Sequence, residues 1–263
     1  MRLIVCIKIV PEFQDMRFDR ETNTLIRENV RQVINPADNT ALEIAVNLKN
    51  KWGGKVCVVS MGTEKAGSVL HYAAACGADE LYLISDKKFA GSDTYATATV
   101  LAAAIKHLGD YDLILCGRRA MDGETGQVGP ELSVMLDVPC LTNIVDIQKH
   151  RDDTMLCTRL VEDGFEETEL TLPALITVCE GKNLTCVPSI SGLRRAKNIP
   201  LNRLSNAELK LDPASVGLKG SLTRVKRVYS YFGAGRKCIK TTDPVKGSMT
   251  IAQEILRCRQ HET

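Results

Sequence analysis

The segment Tyr111–Pro130 reads YDLILC followed by GRRAMDGETGQVGP, and it decides the fold. Tyr111–Cys116 is a short apolar run of strand length. The residues after it are polar and rich in glycine. Gly117, Gly123, Gly126 and Gly129 let the main chain come close to a ligand. Arg118 and Arg119 offer phosphate a charge and a fork of donors. Asp122, Thr125 and Gln127 offer directional hydrogen bonds to ribose, base or ring edges. Pro130 can open a helix, Pro130–Leu136, whose N-terminal N–H groups favour an anion. A strand running into such a loop and then a helix is the junction at which parallel sheets hold nucleotides or flavins. The plain alternative is a long polar connection that holds nothing.

The same alternation extends outward from this segment. Leu3–Val10, Lys55–Ser60 and Glu80–Ser85 read as strands, and Ala37–Lys51, Glu64–Cys76 and Asp93–Leu108 as helices. Ala41, Leu42, Ala45, Val46 and Leu48 fall at helical spacing, and Asn35-Pro36 suits a cap followed by a first-turn proline. Gly77 is placed to stop a helix, and Ser92 or Asp93 to cap one. Strands alternating with helices predict an α/β fold: a mostly parallel twisted sheet, Rossmann-like, with helices on both faces. Pro11, Met61-Gly62-Thr63, Asp86 and Gly117 all follow strands and converge on the edge where such sheets bind ligands.

After residue 145 the pattern changes. Met155–Leu160 and Glu166–Leu172 flank Glu162-Asp163-Gly164 as a β-hairpin, and Ala174–Cys179 is another buried strand. From Gly181 the organisation weakens, and Pro200, Pro213 and Pro244 break the chain. The expectation is a domain over 1–194 and, over 195–263, an extended C-terminal arm ending in a helix, Ser248–Arg259. A packed C-terminal subdomain is the alternative.

Composition excludes several classes. A net charge of +2 with both signs mixed argues against a dedicated nucleic-acid surface. No apolar run is long enough for a membrane span. The opening MRLIVCIKIV is interrupted by Lys8 and followed by Pro11-Glu12, so it reads as a buried strand and not an export signal. The ten cysteines lack CxxC spacing, and Cys6, Cys57, Cys116 and Cys179 sit in apolar runs, where cysteine acts as a small hydrophobe. They are read as reduced thiols in a cytoplasm. His71, His107, His150 and His261 are dispersed, so no metal site is expected. There is no GxxxxGK[ST], no GxGxxG after the first strand and no GxSxG. The chain offers binding groups without an acid–base set, which suits a protein whose bound cofactor does the reactive work.

Taken together, these pieces resemble the β subunit of electron transfer flavoprotein. The resemblance is carried by Val5-Cys6-Ile7-Lys8 and Pro11, Asn35-Pro36-Ala37-Asp38 with Ala41-Leu42-Glu43, and Ser60-Met61-Gly62. It continues through Ala75-Cys76-Gly77-Ala78-Asp79, Gly91-Ser92-Asp93-Thr94 and the 116–130 loop, and covers most of residues 1–200. Thr63 departs from it, since the family often has proline there. The resemblance implies an adenine-nucleotide-binding domain, paired with an electron transfer flavoprotein α subunit. Ordinary β subunits hold AMP; those of the electron-bifurcating type hold FAD in its place. The ending Asp122-Gly123-Glu124-Thr125-Gly126-Gln127-Val128-Gly129-Pro130 resembles the bifurcating version. That version implies NADH as hydride donor, ferredoxin or flavodoxin as one acceptor, and the α-subunit FAD as the other. From the α subunit, electrons would pass to a flavin dehydrogenase of acyl-CoA, enoyl-CoA or lactate type.

Carried over by motif, the ligand shell comprises Cys6, Asn35, Pro36, Ala37, Asp38 and Met61. To these it adds Gly117, Arg118, Arg119, Ala120, Met121, Asp122, Gly123, Glu124, Thr125, Gly126, Gln127 and Val128, with Asp93 and Thr94 as further members. Several would act through their backbone. Thr185-Cys186-Val187-Pro188-Ser189-Ile190 matches the family's recognition loop, which places Val187 and Pro188 at the dehydrogenase. An ordinary loop leaving a strand is equally compatible with those residues.

Overall fold

Arg2–Cys6 forms strand β1, and its side chains divide between two buried layers: Leu3 and Val5 on one side, Ile4 and Cys6 on the other. A strand apolar on both faces belongs in the middle of a covered parallel sheet. The computed structural model describes residues 1–12, 17–19, 24–26, 31–151, 153–181, 186–226 and 240–259. Thr185 and His261 lie outside the described residues, as do parts of the expected C-terminal arm.

Among the described residues the remaining strands are β2 (Ile9–Pro11), β3 (Arg17–Asp19), β4 (Thr24–Ile26), β5 (Gln32–Ile34), β6 (Lys55–Met61) and β7 (Glu80–Ile84). They continue as β8 (Leu113–Gly117), β9 (Cys140–Arg151), β10 (Thr154–Val161), β11 (Gly164–Thr171), β12 (Ala174–Val178) and β13 (Leu201–Leu204). The helices are α1 (Pro36–Trp52), α2 (Gly67–Cys76), α3 (Thr94–Leu108), α4 (Val128–Leu136), α5 (Ile190–Ala196), α6 (Asn206–Leu209), α7 (Gly217–Gly220) and α8 (Pro244–Arg259). The main sheet runs β11-β10-β9-β12-β8-β1-β6-β7-β13. From β9 to β13 every pairing is parallel; β10 and β11 are added antiparallel. Residues of α1 and α2 pack with Leu3 and Val5 of β1, and residues of α3 and α4 with Ile4 and Cys6. The α/β expectation, the parallel sheet and the hairpin at Glu162-Asp163 all hold.

Four local readings are corrected. The strand expected over Leu3–Val10 breaks after Cys6, because Lys8 N donates to Asp38 Oδ2 at 2.6 Å; β2 then pairs with β5 in a separate ribbon. Helix α4 begins at Val128, since the Gln127 carbonyl already accepts from Glu131 N at 3.0 Å. Pro130 therefore sits inside the first turn, where its missing N–H is tolerated. Asn35 stands before α1 with Pro36 at the first helical position, but its side chain makes no cap. The last helix starts at Pro244 and not Ser248, because Asp243 Oδ1 accepts from Val245 N at 2.9 Å and from Lys246 N at 3.2 Å.

The described chain also carries order beyond residue 194. Strand β13 extends the parallel sheet beside β7, and the residues group into one compact unit, Met1–Lys226, and a second, Arg227–Thr263. In the second unit, α8 presents Val245, Met249, Ile251, Ile255 and Leu256 as exposed side chains.

Candidate nucleotide-binding site

Strand order reverses beside β1. The chain runs outward through β6 and β7 on one side, then returns to place β8 and β12 on the other. Ligands of open α/β sheets bind beyond the carboxyl ends of the strands at such a reversal. Cys6 ends β1 and Gly117 ends β8, so the loop after Gly117 lies over this point.

Two buried side chains from the start of α1 hold that loop from beneath. Asn35 Nδ2 donates to Arg119 O at 2.9 Å, and Asn35 Oδ1 accepts from Met121 N at 3.0 Å. Asp38 Oδ1 accepts from Gly117 N at 2.9 Å, while its Oδ2 receives Lys8 N. A Cβ at Gly117 would collide with Asp38 Oδ1 and with Ala37, so only glycine allows this approach. Arg118 N then donates to Val178 O at 2.7 Å, and Glu124 N to Ala120 O at 2.9 Å. Glu124 and Gly126 take left-handed conformations, at φ 50° and 65°.

Burial pushes Asp38 up to about 6, against hydrogen bonds from Lys8 N, Asn35 and Gly117 N that favour its charged form. Lys8 Nζ, just past β1, reaches Asp122 Oδ1 at 2.7 Å and ties the loop to the end of that strand. Arg119 lies 3.9 Å from Glu124. Among the described residues Arg118 makes no ion pair. A cavity of about 350 Å³ has Arg118, Arg119, Glu124, Thr125 and Gly126 on one wall. Thr142 and Asn143 of β9 and Thr177 of β12 form the other. That volume lies in the range of small-molecule sites.

Thr142, Asn143 and Thr177 were not read from the sequence. Asn143 sits at φ 61° where the β9–β12 register shifts, and its N–H donates to Thr177 Oγ1 at 3.2 Å. The signal available in the sequence was only a polar pair, Thr142-Asn143, interrupting an apolar run; the left-handed turn is seen in the structure alone.

The other candidates divide. Thr94 Oγ1 lies 3.2 Å from Gln127 Oε1 and 3.1 Å from Glu131 Oε1, which joins the starts of α3 and α4 in one polar cluster. Glu131 Oε2 is buried without a partner among the described residues, and burial raises its carboxyl above the usual range. Asp93 is committed to the fold: Oδ1 caps α3 through Ala96 N, and Oδ2 accepts from Thr223 N and Oγ1 at 2.8 and 2.9 Å. Its carboxylate therefore has little left for a ligand. Cys6 is buried beside Cys116, its cross-strand partner on β8. Pro36 is exposed and Ala37 buried beneath Gly117. Met61 is half-buried at the end of β6, next to Ser60, whose buried Oγ has no partner among the described residues. Ala120, Met121 and Val128 are half-buried; Gly123, Thr125 and Gln127 are exposed. Val187 is 76% exposed and Pro188 half-buried in the stretch leading to α5.

The fold and this cleft define the class: a doubly wound α/β protein with a nucleotide-type loop over its switch point. Residues 22–209 match the family described as the electron transfer flavoprotein domain. The chain is 44% identical over 226 residues to "Electron transfer flavoprotein subunit beta" of Thermoanaerobacterium thermosaccharolyticum, covering 86% of each. It is 39% identical over 253 residues to "Caffeyl-CoA reductase-Etf complex subunit CarD" of Acetobacterium woodii, covering 95% of this chain and 96% of that one. It is 37% identical over 237 residues to "Acryloyl-CoA reductase electron transfer subunit gamma" of Anaerotignum propionicum, covering 88% of each. The chain belongs to the electron transfer flavoprotein β-subunit family. Among the described residues no helix is long and apolar enough to cross a membrane.

Proposed function

We propose that this chain is the β subunit of an electron-bifurcating electron transfer flavoprotein, working in the cytoplasm and holding FAD in the cleft over the switch point. The observation that carries this reading is Arg118: it lines the cavity, and among the described residues it makes no ion pair. A free arginine on a polar wall, beside a loop rich in backbone donors, suits an anionic, phosphate-bearing ligand. Two buried orphan atoms at the carboxyl edge, Ser60 Oγ and Glu131 Oε2, fit a ligand that also carries hydroxyl or amino groups.

The chain's own residues would divide the work. Arg118 and Arg119 meet the phosphates. Asn35 and Asp38 hold the loop in register without touching the ligand through their side chains. Thr125, Gln127 and Thr94 offer hydrogen bonds to the cofactor's polar edges, and Asn143 and Thr177 close the far wall. When bound, the flavin supplies acceptance of hydride from NADH and passage of single electrons to ferredoxin or flavodoxin and to the α-subunit FAD.

Two features favour FAD over AMP. One is the loop ending that resembles the bifurcating type, and the other is the likeness to subunits named for caffeyl-CoA and acryloyl-CoA reductases. Those names also favour a CoA-ester reductase as the dehydrogenase partner, docking at Val187 and Pro188. The apolar side chains of α8 suit an arm, within 195–263, that embraces the α subunit. Purification of the αβ dimer tests the reading. Two FAD per dimer are expected, whereas one FAD with one AMP would make it an ordinary carrier.

A further inference from the structure

Cys76 is the last residue of α2, and Cys186 stands immediately before Val187. They interlock. Cys76 Sγ lies 3.2 Å from Cys186 O, and Cys186 Sγ lies 3.7 Å from Cys76 O. The two thiols are also close enough to influence each other. Tyr72 Oη, one turn earlier on α2, donates to the same Cys186 carbonyl at 2.7 Å. A Cβ at Gly192 would collide with Ala75 O, so α5 packs flush on α2 just beyond the pair. The approach of the two segments is thus built into the fold. Both cysteines are free thiols, Cys76 half-buried and Cys186 buried.

We propose that Cys76 and Cys186 are a redox-sensitive dithiol that closes to an intramolecular disulfide by exchange with a low-molecular-weight disulfide such as oxidised glutathione. The bond staples the segment bearing Val187 to α2. It forms beside a residue that the proposed function assigns to partner docking, but the thiol chemistry stands without that assignment.

The pair is asymmetric in the way exchange requires. The contact with Cys186 holds the Cys76 thiol below its ordinary value against the cost of burial. The same contact pushes Cys186 up. Cys76 is therefore the attacking thiolate. It displaces one thiolate from the oxidant and forms a mixed disulfide. The Cys186 thiol gives up its proton and attacks the Cys76 sulfur, which forms the Cys76–Cys186 bond and releases the second thiolate. The pair loses two electrons and two protons; the oxidant gains them as two free thiols. Elsewhere burial works against reaction: it raises Cys57 to about 12 and Cys157 to about 11.

The test uses the folded full chain in a graded series of reduced and oxidised glutathione, with peptide mapping by mass spectrometry. The expected product has lost two hydrogens and carries one Cys76–Cys186 link that dithiothreitol reverses. In the reduced chain, iodoacetamide should modify Cys76 on the order of tenfold faster than Cys57 or Cys157, and blocking Cys76 should prevent the link. Cys76→Ser and Cys186→Ser should each abolish it; the wild-type mapping decides the matter even if either variant folds poorly. A chain that stays folded and fully reduced across the series, a link between other cysteines, or mixed disulfides that never close would each overturn the assignment.

Discussion

Asp38 and Gly117 are joined by a hydrogen bond of 2.9 Å from the glycine N–H to Asp38 Oδ1, on the line where any side chain at 117 would stand. This contact seats the whole loop on α1. Gly117→Ala would drive a methyl group into Asp38 and Ala37, and overpacking of this kind costs roughly 1–3 kcal/mol. The variant should unfold at lower denaturant concentration and be purified with much less bound nucleotide. An unchanged midpoint with full cofactor content would show that the loop is not seated this way.

The buried Asp38 gives the fold a pH dependence of definite sign. Its folded value of about 6 lies above the ordinary 3.8, chiefly because burial disfavours the charge. Between those values the folded chain keeps a proton that the unfolded chain has lost. The group's contribution to stability is therefore complete below pH 3.8, falls as pH rises to about 6, and is flat above. A difference of this size is worth roughly 3 kcal/mol. Asp38→Asn sets an NH₂ against one of the two backbone donors, a cost that does not vary with pH. The stability advantage of wild type over Asp38→Asn should accordingly narrow from pH 4 to 6 and then level off. A gap that stays constant across that range in urea titrations would reject the assignment.

Some of this was legible in the residues and some was not, for physical reasons. Strands β1, β6, β7 and β8 announce themselves as apolar runs because both their faces are covered, and the loop after β8 announces itself through its glycines. Strand β9 was hidden. Its alternation breaks at Asn143, where the backbone turns left-handed and the register slips, so Leu141, Ile144 and Ile147 recur every third residue and not every second, as a strand requires. Strand β13 is four residues with an arginine inside, and only its pairing with β7 makes it a strand. Asn35 could be placed before a helix, but that its amide turns from the helix to the loop depends on a contact 84 residues away. Asp93 was legible as a cap; that Thr223 takes its second oxygen was not.

Arg118 and Arg119 can now be ranked. Both line the cavity, but Arg119 is shared with Glu124 at 3.9 Å and its side chain is 42% exposed, so solvent screens it. Arg118→Ala should weaken FAD or ADP binding on the order of tenfold to a hundredfold, as loss of a charge-assisted hydrogen bond implies. Arg119→Ala should cost less, and its effect should shrink further as salt is raised. Calorimetric titration of the cofactor-depleted chain at two ionic strengths measures both. Equal losses at both salts would undo the ranking.

Gly129 and Thr177 form the contact that presses the first turn of α4 onto β12, beneath the far wall of the cavity. A Cβ at Gly129 would come within 2.5 Å of Thr177 Cγ2, and Thr177 Oγ1 at the same time holds Asn143 N. Gly129→Ala alone should destabilise by roughly 1–3 kcal/mol through overpacking. Thr177→Ser removes the obstructing methyl and keeps the hydroxyl, so by itself it should cost little. In the double variant most of the Gly129→Ala penalty should disappear, leaving a favourable coupling of at least about 0.5 kcal/mol. A coupling indistinguishable from zero in denaturant melts would mean that α4 can shift off β12 freely. The helix start would then not be fixed by this contact, and the position of Gln127 and Val128 would need another cause.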